Sequence, residues 1–486
     1  MEGYENMARN YPDYIKACAD AVKYSPIPKP FAQWTAISSI AGALGRKVWF
    51  PMPNYNIGSN LFVILIASPG RNKSVSLIVP FSKVFSRLTS PVGATEEDHN
   101  FNSGLDAYGL RNHPLYSIQD RITPEKLAVD MTKITRMDLR LCTEDNPEFY
   151  DSSLTLVTSE FGTFMGRNER YLQMFLTDMW DAKDQYSHKT KTSGEYLIEG
   201  PCLNWIACAT PEQFVDNLPE DARSQGLLSR IIPIFYEGER IPQDLNQKVI
   251  SESMLNNLRN DLSHIAKMHG PMTFHKDAFD KANEDIFYNL KPEPTDPHLS
   301  EYCQRRVSHF LKIAISVSAS RRTSREIMLE DWELTKEIMF DMEQNMPKAL
   351  EGFGMARTGR IAHDMRMWLD ATLAGKKTHI NMRAFKRELL RKIPNPGELD
   401  QTIRAMEDSG YIKVDDCEIN TNLTGWFKNI GYVPQNVFLI DDSIRNNIAL
   451  GINEKKINKK KLDNAIENAG LTDFIESIDK GVETIV

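Results

Sequence analysis

Lys73 and Ser74 stand side by side at the end of the turn Ala67-Ser68-Pro69-Gly70-Arg71-Asn72, which follows the apolar run Leu61 to Ile66. An ammonium and a hydroxyl in that position are suited to holding a phosphorylated nucleotide. Backbone N–H groups of the turn and of the next helix face the phosphates, Lys73 reaches the outer ones, and the Ser74 hydroxyl ligates Mg²⁺. The segment Ala67 through Val75 is therefore the candidate binding site for ATP with Mg²⁺. Against the pattern G-x-x-x-x-G-K-[ST], Ala67 replaces the first glycine and Asn72 the second. Asn tolerates a left-handed backbone better than other residues with a side chain, so closure of the loop is still expected.

A phosphate loop needs a second strand that presents acid to metal and water. The run Leu154 to Thr158 ends in Ser159-Glu160, where Glu160 is the candidate for orienting water and Ser159 for holding a metal-bound water. Ser159 cannot supply the charge that Asp would. The competing reading is that Glu160 caps the next helix. A further apolar strand, LNWIACAT, ends in Thr210-Pro211, so Thr210 fits both a sensor of the γ-phosphate and a helix N-cap. Arg230, in Gly226-Leu227-Leu228-Ser229-Arg230, is placed to stabilise phosphate charge across a subunit boundary, or else is solvated or salt-bridged.

The elements that must position these groups alternate. LFVILI, PLYSIQD, SLTLVTSE, LNWIACAT and RIIPIFY read as strands; SVSLIVPFSKVF, the segment from Thr123-Pro124 and YLQMFLTDMWDA read as helices. Such alternation predicts an α/β fold with a mostly parallel sheet covered on both faces. Residues 13–45 read as helices broken at Pro26, Pro28 and Pro30, and helical patterns dominate from about 245 to 350. Three helices and a short strand, YIKV, then outline a winged helix.

With 486 residues, 41% hydrophobic and 26% charged, the composition is that of a globular protein of about three domains. A net charge of -8 excludes a global polyanion binder, so contact with nucleic acid must be local. One such patch exists: residues 357–413 hold 12 Lys/Arg against 7 Asp/Glu, a balance of +5. Arg383, Lys386, Arg387, Arg391 and Lys392 fall there at near-helical spacing and are the DNA-phosphate candidates, with a solvated face used for protein contacts as the alternative. Six scattered cysteines, a polar N-terminus and no apolar run of membrane length lead to the expectation of a cytoplasmic protein without membrane association.

Taken in order, NLFVILIASPGRNKS, RITPEKL, LTLVTSEFGTFM, TDMWDAKDQYSHKTKTSGEYLIEG, LNWIACATPEQF and GLLSRIIPIF resemble the ATPase domains of phage and plasmid primase–helicases, over about residues 30–350. That resemblance implies a RecA/AAA+-like P-loop NTPase core with a helical lid, acting as a DNA helicase on single-stranded or forked DNA. It also implies a homo-oligomeric ring in which Arg230 reaches a neighbour's nucleotide, with any priming activity supplied by a separate primase. The alternative is a replication initiator or helicase loader that uses ATP as a switch. From about Cys417 the chain instead resembles an ABC transporter nucleotide-binding domain, with Ile430-Gly431-Tyr432-Val433-Pro434-Gln435 similar to its Q-loop. This is expected to be a truncated fragment, joined near Val414 to Cys417 as a possible chimera. The expected domains are 1–50 (N-terminal helices), 51–245 (ATPase core), 246–350 (helical), 351–416 (winged-helix-like) and 417–486 (ABC-ATPase-like).

Overall fold

The computed structural model describes residues 8–90, 92, 110, 114–119, 122–143, 147–166, 170–190, 194–218, 226–242, 249–288, 290–294, 296, 299–350, 362, 365–369, 372, 382–392, 396–408, 412, 441–449, 452 and 457–485. Residues Met1–His363 form one compact unit and Asp364–Val486 a second.

The first unit is built on a parallel sheet. Its strands are β1 (Phe62–Ala67), β2 (Ser117–Ile118), β3 (Tyr150–Thr158), β4 (Pro201–Ala209) and β5 (Ile231–Tyr236), in spatial order β5-β1-β4-β3-β2. Every pairing along that path is parallel, and Arg136–Met137 adds an antiparallel pair at the start of β3. All six residues of β1 and all nine of β4 are buried, as expected of strands covered on both faces. This is why LFVILI and LNWIACAT read as continuous apolar runs rather than alternations.

The register places Ile66 beside Ala209, Ala207 beside Thr158, and Ala67 beside Tyr236. The carboxyl ends of β1, β3, β4 and β5 therefore share one edge. The chain leaves β1 toward β2 at the far side, works back through β3 and β4, then passes over β1 to β5. In open parallel sheets ligands bind at such a switch in strand order, outside the carboxyl ends.

Helix Lys29–Leu44 lies against this sheet with thirteen of its residues buried. Gly42 permits the approach: a Cβ there would stand 2.3 Å from Thr155 Oγ1. The side chain of Asn204 on β4 ties the layers together, accepting from Leu61 N at 3.1 Å and donating to Ser38 O at 3.0 Å.

Two local outcomes differ from the sequence expectation. The single helix expected over residues 74–85 is one α-turn, Lys73–Ser76, then a π-helix Ile78–Val84 and a 3₁₀ turn Phe85–Leu88. Pro80 has no N–H to donate and crowds the carbonyl one turn back, and the wider winding relieves it, with Ser82 N donating to Leu77 O at 3.4 Å. The segment after 245, where helical patterns dominate as expected, also carries short strands. Gly270–Pro271 pairs with Val48–Pro51, and Thr273–Phe274 with Glu326–Ile327. These dipeptides are too short to show periodicity.

The helices Glu252–Ala266, Lys276–Phe287, Ser300–Arg321 and Leu329–Ala349 complete this unit. The last two are fastened by buried Arg306, whose Nε donates to Glu343 at 2.6 Å, and by Tyr302, whose hydroxyl donates to the same carboxylate at 2.8 Å.

In the second unit, helices Met382–Lys392 and Pro396–Asp408 bury Phe385, Leu389, Leu399, Ile403 and Met406. The expected strand YIKV lies outside the described residues except for Ile412. Further along are helices Ile444–Ile448, Lys459–Asn468 and Thr472–Glu476; the Q-loop-like residues 430–435 lie outside the described residues.

Candidate functional site

The loop after β1 turns twice through left-handed backbone. Gly70 has φ 78° and Asn72 φ 55°, ψ 31°. At the position where the pattern asks for glycine, Asn72 adopts the glycine conformation, at an energetic cost that Asn bears better than other side chains. Its side chain also donates to Pro26 O at 2.8 Å, anchoring the loop to the proline break between the first two helices.

Ser68, Pro69 and Gly70 are exposed, and a Cβ added to Gly70 would meet nothing within 4 Å. Arg71 and Lys73 are half-buried, and Ser74 and Val75 are exposed. Lys73 Nζ donates back into its own loop, to Ala67 O at 2.6 Å and Ser68 O at 3.1 Å. Burial draws this ammonium below its ordinary pKa, opposed by the Cys208 thiol and the Glu212 carboxylate. Both opposing groups belong to β4 and the helix after it, so the loop lysine faces the end of the strand beside β1. The loop is thus open above, with a cation held over its carbonyls, and its residues fit a phosphate chain.

Glu160 follows β3 on the same edge. Its Oε2 accepts from Thr163 Oγ1 at 2.8 Å, and it occupies the N-cap position of helix Phe161–Met165 without a side-chain bond to that helix's backbone. Ser159 is exposed beside it. Both line a cavity of about 270 Å³ shared with Gln119, Ile122, Thr163 and Phe164. This cavity lies at the ends of β2 and β3 and includes none of residues 67–75. Gln119 and Thr163 went unassigned in the sequence; Gln119 directly follows the strand Ser117–Ile118 as Ser159 directly follows Tyr150–Thr158, and that shared position was the available signal. Among the described residues no three His, Cys, Asp or Glu side chains converge on a metal position. A Mg²⁺ bound through Ser74, Ser159 and Glu160 would thus have one protein carboxylate to balance its charge, and nucleotide oxygens would supply the rest.

Thr210 caps helix Pro211–Asn217. Its hydroxyl accepts from Gln213 N at 3.2 Å, and Gln213 Oε1 accepts from Thr210 N at 3.2 Å. The N-cap reading is what the geometry displays, at the carboxyl end of β4.

Arg230 departs from its expected placement. It is 6% exposed, and its guanidinium grips Asp181 through Nη2 to both carboxylate oxygens, at 3.0 and 2.9 Å, and through Nε at 3.3 Å. Nη1 donates to Gly226 O at 2.8 Å. The side chain is an internal ion-pair partner in this structure, not a group projecting toward a neighbour. It also sits at the start of β5, level with the start of β1, and so at the opposite end of the strands from Lys73. This pairing gives the physical reason why the Trp180-Asp181 and Leu227-Leu228-Ser229-Arg230 segments belong together. The cation faces of Arg230, Arg305 and Lys312 all approach the Trp180 ring, at 5.5, 5.5 and 4.3 Å.

The helix Met382–Lys392 exists as expected, but its cations do not share one exposed face. Arg387 is exposed, whereas Lys386 is 7% exposed and buried alongside Phe385 and Leu389. On a helix, positions 385, 386 and 389 fall toward one side, so spacing alone did not separate core from surface. The side chains of Arg383, Arg391 and Lys392 lie outside the described residues.

No family model matches the chain. Two curated proteins are similar to it over a short stretch. An ATP-dependent lipid A-core flippase of Aliivibrio fischeri is 36% identical over 80 residues, covering 16% of this chain and 14% of the flippase. The corresponding flippase of Sodalis glossinidius is 33% identical over 78 residues, covering 16% and 13%. The chain therefore spans about one seventh of the length of these relatives. A likeness of that length to a transporter ATPase is consistent with the ABC-type fragment expected at 417–486. Among the described residues no helix is long and apolar enough to cross a membrane. The mixed α/β architecture with its parallel sheet is consistent, at that coarse level, with a P-loop NTPase-like fold.

Proposed function

We propose that the first unit is a P-loop ATPase core of RecA/AAA+ type, and that the protein is an ATP-dependent DNA helicase or translocase of phage or plasmid replication. One observation carries this reading: the loop between β1 and Lys73 closes through left-handed Asn72 at the point where the parallel strand order reverses. Lys73 and Ser74 would hold the nucleotide phosphates and Mg²⁺, Glu160 would orient water, and Thr210 stands on the same edge at the end of the intervening strand. Bound Mg²⁺ would neutralise phosphate charge beyond what the Lys73 ammonium offsets. ATP use also has coarse support from the short likeness to proteins named as ATP-dependent.

A second reading is an ATP-switched initiator or loader that hydrolyses slowly and does not unwind DNA. The burial of Arg230 against Asp181 favours it, as does Ser159 in place of an acid. DNA-stimulated ATP hydrolysis that disappears in Lys73→Ala is the result expected of an ATPase, and equal turnover in that variant sinks the reading. Unwinding of a forked duplex separates helicase from loader.

A further inference from the structure

A second cavity, of about 480 Å³, lies where β1 and β3 begin, at the other end of the strands from the nucleotide loop. Gly58, just before β1, and Phe149, just before β3, both line it. Its volume falls in the range of small-molecule sites, about 300–1,000 Å³.

The wall is aromatic. Trp49 and Phe149 stack with centroids 5.7 Å apart and planes at 23°, and the Arg46 guanidinium lies 5.6 Å from the Phe149 centroid. Arg46 also donates to the carbonyls of Ala182 and Lys183 and, at 2.6 Å, to Asp184. Wall and floor are therefore held as one piece. Within that floor Ala182 keeps φ 50°, a left-handed conformation without glycine, which Arg46 helps to hold. Strain of this kind concentrates at functional sites.

The charges that line the cavity cancel and are each partnered within the protein: Arg46 with Asp184, Lys183 with Asp178, and Asp181 with Arg230. Such a lining does not favour phosphate, and it leaves no single charge to recruit an ion. What it offers is π-faces with polar edges. At the mouth, the tip between strands Val48–Pro51 and Asn56–Gly58 presents Tyr55, 58% exposed, between two exposed amides, Asn54 and Asn56. Amide side chains pair with the edges of purines and pyrimidines, and aromatic rings stack on their faces.

We propose that this cavity binds an uncharged nucleobase, stacked between Tyr55 and the Trp49–Phe149 pair with its edge toward Asn54, Asn56 and Asp181. The base comes either from a free nucleoside or from an unpaired position in a single strand. Only the strand source rests on the replication reading above.

The test measures binding of adenosine by calorimetry and of a fluorescein-labelled 12-nucleotide single strand by anisotropy, using the full chain without ATP. The proteins compared are wild type, Tyr55→Ala, Asn54→Ala and Lys73→Ala. Tyr55 is exposed at a hairpin tip, so its removal should leave the melting temperature unchanged. Loss of one stacked base costs about 1–3 kcal/mol, so Tyr55→Ala should weaken binding by roughly 5- to 150-fold. Because the lining is neutral, that ratio should be the same at 50 and 200 mM salt, whereas a phosphate-driven surface would lose affinity steeply. Lys73→Ala should bind the strand like wild type. Tyr55-dependent binding of adenosine alone identifies the free nucleoside as the source; Tyr55-dependent binding of the strand identifies the unpaired base. If strand binding depends on Tyr55 while ATP hydrolysis is absent, the base site stands and the ATPase reading falls. Equal affinity of wild type and Tyr55→Ala for both probes, or no binding of either, overturns the proposal.

Discussion

The side-chain amide of Asn72 donates to the carbonyl oxygen of Pro26 at 2.8 Å while its backbone holds φ 55°. Glycine would accept the same backbone angle with less strain, but it cannot make that bond. The departure from the usual loop pattern is therefore an exchange of conformational ease for a tether. It ties the loop after β1 to the junction between helices Tyr14–Ala21 and Lys29–Leu44.

Two substitutions separate those contributions. Asn72→Gly should keep the loop shape and lose one hydrogen bond, changing stability by no more than about 1 kcal/mol and retaining affinity for ATP analogues. Asn72→Val keeps neither, because a β-branched side chain in left-handed backbone costs at least about 1–2 kcal/mol. Nucleotide affinity should fall sharply in Asn72→Val. Equilibrium binding of a fluorescent ATP analogue checks both, and equal affinity in Gly and Val variants would refute a conformational role.

The pair Asp181–Arg230 should respond asymmetrically. Arg230 is 7% exposed in its side chain, while Asp181 is 27% exposed and has Arg305 at 3.7 Å as a second partner. Asp181→Asn leaves a buried guanidinium without its counter-charge, and a cost of about 3–5 kcal/mol is expected. Arg230→Ala leaves a carboxylate that retains water and Arg305, so the cost should be smaller, on the order of 1–2 kcal/mol. Chemical denaturation of the two variants gives the comparison; equal losses would mean that burial is not what sets the cost.

The alternation of strands and helices was legible because parallel strands buried on both faces appear as apolar runs, as LFVILI and LNWIACAT do. The positions of Lys73, Glu160 and Thr210 at strand ends followed from those same runs. Spatial strand order was not legible, since pairing between β1 and β4 or β5 is decided by packing of distant segments. Nor was the fate of Arg230 and Lys386. A cation reads the same in sequence whether it faces solvent or a buried carboxylate, and only the fold brings Asp181 to Arg230. The π-helical turn had a visible cause in Pro80, but a proline predicts a disturbance without choosing its form.

The helix Met382–Lys392 offers a sharper test of DNA contact than its sequence suggested. Exposed Arg387 is available to a phosphate, so Arg387→Ala should weaken binding to all DNA sequences alike and reduce the salt slope by about 1. Lys386, being buried, should leave that slope unchanged when replaced by Met, which retains its apolar stem. A smaller slope in Lys386→Met than in Arg387→Ala would reverse the assignment of faces.

His309 makes acid stability the most readable property of the buried network. The ring is fully buried, its Nε2 donates to Ser229 O at 2.8 Å, and its Nδ1 has no hydrogen-bond partner among the described residues. Tyr302 stacks on it at 5.4 Å, Trp180 meets it edge-on at 5.5 Å, and Lys312, Arg305 and Arg230 are its charged neighbours. Burial above all, reinforced by those three cations, lowers its pKa from 6.5 to about 4 against the bond to Ser229 O. Between these values the unfolded chain takes up a proton that the native protein refuses. Its stabilising contribution is therefore complete above pH 6.5, falls as the pH drops, and is exhausted near pH 4. The whole loss is on the order of 3 kcal/mol. His309→Gln keeps a donor for Ser229 without a titrating ring, so its stability should decline less over that interval. Denaturation midpoints of the two proteins from pH 7 to pH 4 should diverge, with wild type falling faster. Parallel curves would place the acid sensitivity elsewhere.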